Sequence, residues 1–350
     1  MGSLMKHTIP LLLCSVLMVG CSVSEPEVRT EAVIDAAVEK EELFVEAFHP
    51  RLSELIDPDA KPEVLSQGYL WSEGPTWDRK RSQLYFTDVP GNKAYVWKEG
   101  DGTTVFLDPS GSSSEEGFRE AGANGLFYIG EDRVILGNHG TRAVEILNPE
   151  DKSRVTIVDM FDGKRFNSPN DLVQASNGDI YFSDPPYGLE GLNASPLKEL
   201  EFNGVYRHSF EGETTLLTDQ MTFPNGVVLS LDESRLFVAQ SDPNAAGVFV
   251  IDLDTHNATE PSLFFDMQPY LADHPGLPDG FAMAESGEIF VTGPGGVFVL
   301  SESGDLLGRI FTGSATANVT FGGDEGRTLF ITAQDRLLRL PTKVRGAAWN

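Results

Sequence analysis

Thiols, imidazoles and cationic side chains are scarce in this chain. Its 350 residues include two Cys, six His, and 26 Lys and Arg against 53 Asp and Glu, for a formal net charge of -27 at pH 7. Nucleic acid is therefore excluded as a partner, because phosphate binding needs clustered cations. No Gly-x-Ser-x-Gly elbow and no His-Glu-x-x-His occurs, so neither covalent serine hydrolysis nor that class of metallopeptidase is supported. Helical periodicity is nearly absent after residue 60, which leaves strands to build the fold.

What the chain does have is a repeat. Six times a polar residue, usually followed by Gly, opens an apolar run that turns into a second strand ending in a small or polar residue. The copies run from Glu73 to LYFTD, Asn124 to VILGN, Asn170 to IYFSD, Asn225 to LFVAQ, Asp279 to IFVTG and Asn318 to LFITA. From each opening residue to the second apolar residue of the later strand there are eleven or twelve positions. A spacing of about 50 residues between copies matches a four-stranded propeller blade. The expected fold is all-β, a six-bladed β-propeller over residues 61–341 with a metal site in its central channel. A strand at 62–70 is expected to pair with the last strands near Leu337 to Leu340 and close the ring.

The shared register makes the six opening residues equivalent, at one mouth of the channel. All carry side-chain oxygens. Taken singly, an Asn-Gly or Asp-Gly is a turn dipeptide, and a ring of amides could also be bonded to channel water. Carboxylates mixed with amides fit a hard cation better: two charges neutralise a divalent ion, and carbonyl oxygens fill coordination without repulsion. Calcium is the first choice, with magnesium, manganese or zinc as alternatives in vitro.

Four segments, Ser72-Glu73-Gly-Pro-Thr-Trp77, Phe166-Asn-Ser-Pro-Asn170-Asp171, Phe223-Pro-Asn225-Gly226 and Leu277-Pro-Asp279-Gly280, resemble metal-binding segments of the calcium-dependent propellers that include gluconolactonase, regucalcin and the luciferin-regenerating enzyme. Ala123-Asn124-Gly125-Leu126, Asn138-His139-Gly140, Ser183-Asp184-Pro-Pro-Tyr187-Gly188 and Asn318-Val-Thr-Phe resemble bacterial gluconolactonases in particular. The resemblance implies that Glu73, Asn170, Asn225 and Asp279 hold the metal, with Asn124 and Asn318 on the remaining arc facing substrate. It implies Asp279 as the general base that activates water against a sugar lactone. Asp171, beside Asn170, is the rival base. His139 is a candidate for binding substrate hydroxyls or moving a proton, and a structural His is the alternative. Asn138 stands where many relatives have Gln or Glu. The loop Pro109 to Gly122, rich in Gly, Ser and Glu, is a candidate flexible lid.

At the amino terminus, Lys6 followed by an apolar run to Val19 has the charge and length of a secretory signal. The end of that run, Leu17-Met18-Val19-Gly20-Cys21, resembles a bacterial lipoprotein signal. Residues 1–20 are then expected to be cleaved, Cys21 lipidated, 21–60 to form an acidic tether and 342–350 a C-terminal tail. Ser22 after the lipidated Cys implies the outer membrane, with the protein on its periplasmic face. Two other functions remain open on the sequence: hydrolysis of organophosphates or aryl esters at the same metal, and a noncatalytic envelope protein that binds ligands on the propeller face.

Overall fold

The computed structural model describes residues 43–253 and 259–347. Six antiparallel sheets make the blades of a β-propeller. Their innermost strands are Ser72–Asp78, Ala123–Gly130, Leu172–Gln174, Pro224–Leu229, Phe281–Met283 and Asn318–Gly322, each opening one of the six repeats. The closing strand is also present: Glu63–Gln67 pairs with Arg336–Pro341, so blade six draws strands from both ends of the domain.

Side-chain alternation explains how the blades adhere. In Gln83–Asp88, Leu84 and Phe86 join Phe330 and Leu337 of blade six, whereas Tyr85 between them joins Leu126 and Leu136 of blade two. The same division recurs at every interface, which gives six hydrophobic clusters, one between each pair of neighbouring blades. Both faces of a blade are buried along its second strand, so successive residues there, such as Leu84, Tyr85 and Phe86, are apolar. Trp77 stacks on Phe330 with ring centroids 5.3 Å apart, across the seam where the two chain ends meet.

The boundaries of the domain are wider than expected. Residues 43–60, assigned from sequence to the tether, are folded: Phe44–Ala47 is a fifth strand of blade five, paired with residues 308–311. Leu52, Leu55 and Ile56 are buried with Phe290 and Val319. Leu52 and Leu55 lie i, i+3 on the helical turn Leu52–Leu55 and Ile56 caps it, a short apolar signal set among acidic residues. The expected tail also begins inside the fold, since Lys343 N–H donates to the Leu55 carbonyl (2.7 Å) and Gly346 bridges to Ala284. The signal segment, Cys21 and the tether up to residue 42 lie outside the described residues.

Candidate active site and metal centre

The six opening residues meet as a ring, and glycine is what lets them meet. A Cβ on Gly74 would lie 2.1 Å from the Asn124 carbonyl oxygen, and one on Gly125 would lie 2.6 Å from that of Asn170. A Cβ on Gly226 would strike the Asp279 carbonyl at 2.0 Å, and one on Gly280 the Asn318 side chain at the same distance. Each glycine thus admits the opening residue of the next blade. The X-Gly pairs of blades one, two and four are not hairpin turns; they lie within strands whose register shifts at that point.

The second strands staple the ring. Thr87 Oγ1 donates to the Asn124 carbonyl (3.0 Å), and Thr292 Oγ1 donates to the Ala317 carbonyl (2.9 Å). Thr332 Oγ1 accepts from Asn318 N–H (3.1 Å). Asn225 Nδ2 donates to Ser241 Oγ (3.0 Å), and Ser241 in turn donates to the Pro278 carbonyl, next to Asp279. Ser241 was not foreseen; it directly follows Gln240, the polar residue that ends this second strand.

Fixing Asn225 Nδ2 leaves its Oδ1 buried with no hydrogen-bond partner, and Asn124 Oδ1 is in the same state. Buried polar atoms are normally paired. Glu73 is 3% exposed and holds the Gly74 N–H at 2.9 Å. Burial, with the charge of Asp171 adding to it, pushes its carboxyl up to about 8. Burial, then the charges of Glu73, Asp171 and Glu120, raises Asp279 well above the usual carboxylate range. Acidic groups and unpaired amide oxygens crowded together are what a hard cation satisfies. Among the described residues no three His, Cys, Asp or Glu converge in metal-ligating geometry, so a cation here would depend on the amides as much as on the carboxylates.

The two candidate bases are placed differently. Asp171 accepts Leu172 N–H at Oδ1 (2.9 Å) and Val227 N–H at Oδ2 (3.3 Å), tying blade three to blade four. It also lines a cavity of about 500 Å³ within the channel, as do Trp77, Tyr128, Val227, Phe281 and Asn318. Glu73, Asn170, Asn225 and Asp279 do not line that cavity. Asn170 is buried like Glu73 and Asn225; Asp279 is partly exposed as a residue, but its carboxylate is desolvated. Asn318 lies beside both Glu73 and Asp171, and its hydrogen bonding lowers the pKa of each.

His139 is fully buried, and neither ring nitrogen has a partner in hydrogen-bond geometry. Burial and the Arg119 charge depress its pKa to about 3, so the imidazole is neutral. Gly188 packs over it, where a Cβ would meet His139 Cβ at 2.6 Å. Asn138 does not face a ligand: it holds its own turn, accepting Gly140 N–H and donating to Glu145. Arg142 is an internal clamp, donating Nε–H to the Phe166 carbonyl (2.6 Å) and pairing with Glu199 (3.4 Å).

Backbone contacts tie both ends of the candidate lid, 109–122, to the fold. Ser112 N–H donates to the Ala121 carbonyl (3.0 Å), Arg119 N–H to that of Gly188 (2.9 Å), and Phe118 bridges to Leu189.

The profile of the SMP-30/gluconolactonase/LRE-like region matches residues 71–335. The chain belongs to that family. A gluconolactonase of Zymomonas mobilis is 37% identical over 307 residues, 85% of this chain and 86% of the relative. The solved structure of a gluconolactonase from Xanthomonas campestris superposes with a TM-score of 0.74 at 29% identity, over 85% of this chain and 94% of that one. A calcium-binding regucalcin from Agrobacterium tumefaciens shares the fold, with a TM-score of 0.65 at 16% identity over 82% of this chain and 95% of that one. The matched region spans all six opening residues.

Proposed function

We propose that this member of the gluconolactonase family hydrolyses sugar lactones with a calcium ion held by Glu73, Asn170, Asn225 and Asp279. The observation that carries the reading is the unpaired, buried Asn225 Oδ1 in the same ring as two carboxylates of raised pKa. The gluconolactonase relatives supply the substrate class, and the calcium-binding regucalcin supports the choice of ion.

Bound calcium would supply charge neutralisation for Glu73 and Asp279 and polarisation of a lactone carbonyl. The protein's share is to position groups and move protons. Asp279, a ring carboxylate whose pKa burial and neighbouring charges raise, takes a proton from water as the water oxygen bonds to the carbonyl carbon. The carbon–ring oxygen bond then breaks as the ring oxygen takes that proton from Asp279 and leaves as a hydroxyl, which regenerates the carboxylate and gives the open hydroxy acid. Asn124 Oδ1, unpaired on the free arc of the ring, accepts a substrate hydroxyl. Asp171 holds blades three and four in register through its two backbone bonds.

The test is acid release by chelator-treated, calcium-restored protein from glucono-1,5-lactone, an aryl ester and a phosphotriester in parallel. Turnover of the sugar lactone at least about tenfold above the other two supports this reading. Preference for the ester or phosphotriester replaces it with the alternative hydrolase, and turnover of none favours a ligand-binding propeller.

The amino-terminal resemblance belongs to the same proposal. Lipidation at Cys21 would anchor the domain at the outer membrane, facing the periplasm. Incorporation of labelled fatty acid that is lost in Cys21→Ser supports the anchor, and equal labelling of both proteins refutes it.

A further inference from the structure

The carboxylate of Glu120 is the part of this end of the molecule for which the fold has little use. Its backbone is pinned, with the N–H directed to the Gly188 carbonyl (3.3 Å), and its side chain is only 14% exposed. The carboxylate has one ion-pair partner, Arg119 at 3.2 Å, whose own side chain is 54% exposed and largely solvated. On its inner side Oε2 lies 3.9 Å from His139 Nδ1. Neighbouring polar groups are also unsatisfied. The Tyr187 hydroxyl is buried near Ser241 with no partner in hydrogen-bond geometry among the described residues, and its ring stacks on Phe223 (5.8 Å), two residues before Asn225. Gly188, which accepts the Glu120 N–H and packs against His139, directly follows Tyr187 and so holds these groups together. A largely desolvated acceptor on a hydrogen-bonded backbone therefore stands against His139, with Tyr187 next to the residue that pins it.

We propose that Glu120 is a specificity-determining residue that accepts hydroxyl groups of the sugar lactone, with Tyr187 beside it and His139 behind it. This rests on the lactonase reading above. A sugar lactone differs from a simple lactone by its array of hydroxyl donors, and an ionised carboxylate is the side chain that accepts from them most strongly. Pinning of the loop means that little ordering is needed when the substrate arrives.

The experiment compares wild type, Glu120→Ala and Glu120→Gln in the presence of calcium. Calorimetry measures binding of gluconolactam, the ring-nitrogen analogue of glucono-1,5-lactone, and of δ-valerolactam, which lacks hydroxyls. Acid release measures kcat/KM for the two corresponding lactones, and thermal unfolding checks that each variant folds. Loss of a charge-assisted hydrogen bond predicts roughly 10- to 100-fold weaker gluconolactam binding in Glu120→Ala, and a smaller loss in Glu120→Gln. The hydroxyl-free ligand should change by less than about twofold, and kcat/KM should follow the same pattern. Equal losses on both ligands, or none on gluconolactam, overturn the proposal. If wild type binds gluconolactam but hydrolyses no lactone, the lactonase reading fails while the role of Glu120 is still decided by the variants. Failure of wild type to bind gluconolactam overturns both.

Discussion

Gly226 packs directly on Asp279: a Cβ at residue 226 would come within 2.0 Å of the Asp279 carbonyl oxygen. Two ligands proposed for one ion, Asn225 and Asp279, come from neighbouring blades, so this contact fixes their separation. Gly226→Ala should push the blades apart, costing about 1–3 kcal/mol of stability as overpacking does, and should weaken calcium binding. Thermal unfolding and a calcium titration check it; an unchanged affinity would show that this contact does not set the site.

The two acidic candidates should separate on mutation. Asp279→Asn should fold normally and lose activity by roughly 100-fold or more, within the range for loss of a general base. Asp171→Asn replaces one of the two oxygens that accept Leu172 and Val227 N–H with an NH2 donor and should cost about 1–3 kcal/mol of stability, with a smaller loss in kcat. Measured kcat and melting temperature for both variants decide it, and the reverse ranking of kcat would make Asp171 the base.

Calcium and pH should act on each other. In metal-free protein the Glu73 carboxyl has its pKa raised from 4.5 to about 8, so between these values the native state keeps a proton that the unfolded chain has lost. Its stabilising contribution is complete below the lower value and is lost as pH rises through the upper one. Calcium needs the ionised form, so its affinity should rise over the same window. Melting curves with chelator and with calcium at pH 6 and pH 8 should show the larger calcium-induced shift at pH 8. Equal shifts would mean that Glu73 is not a ligand.

The amino-terminal segment should matter to folding. Leu52 is fully buried between blades five and six, so Leu52→Ala should cost about 2–5 kcal/mol while leaving KM near wild type. A stability change under about 0.5 kcal/mol, the usual size for a surface site, would mean that residues 43–60 only rest on the propeller.

Much of this fold was legible because a propeller repeats its chemistry. The register that aligned Glu73, Asn124, Asn170, Asn225, Asp279 and Asn318 also located the inner strands, and the strand at Glu63–Gln67 closes the ring as its position implied. The Gly after an opening residue was legible as a signal but ambiguous in cause; only the distance to the next blade shows that it serves close approach. Ser241, and Glu120 in the role proposed for it, escape a reading of the repeat because their contacts cross between segments that no spacing within one repeat relates. Residues 43–60 were misassigned because acidic composition outweighed three apolar side chains on one helical turn and its cap.

The most direct measurement is acid release from glucono-1,5-lactone by chelator-treated protein, before and after calcium is restored, with Asp279→Ala carried alongside. Release near the spontaneous rate without metal, rapid release once calcium is added, and none above background in the variant is the predicted result. Chelator-insensitive hydrolysis, or full activity in Asp279→Ala, would contradict a calcium-dependent lactonase centred on this ring.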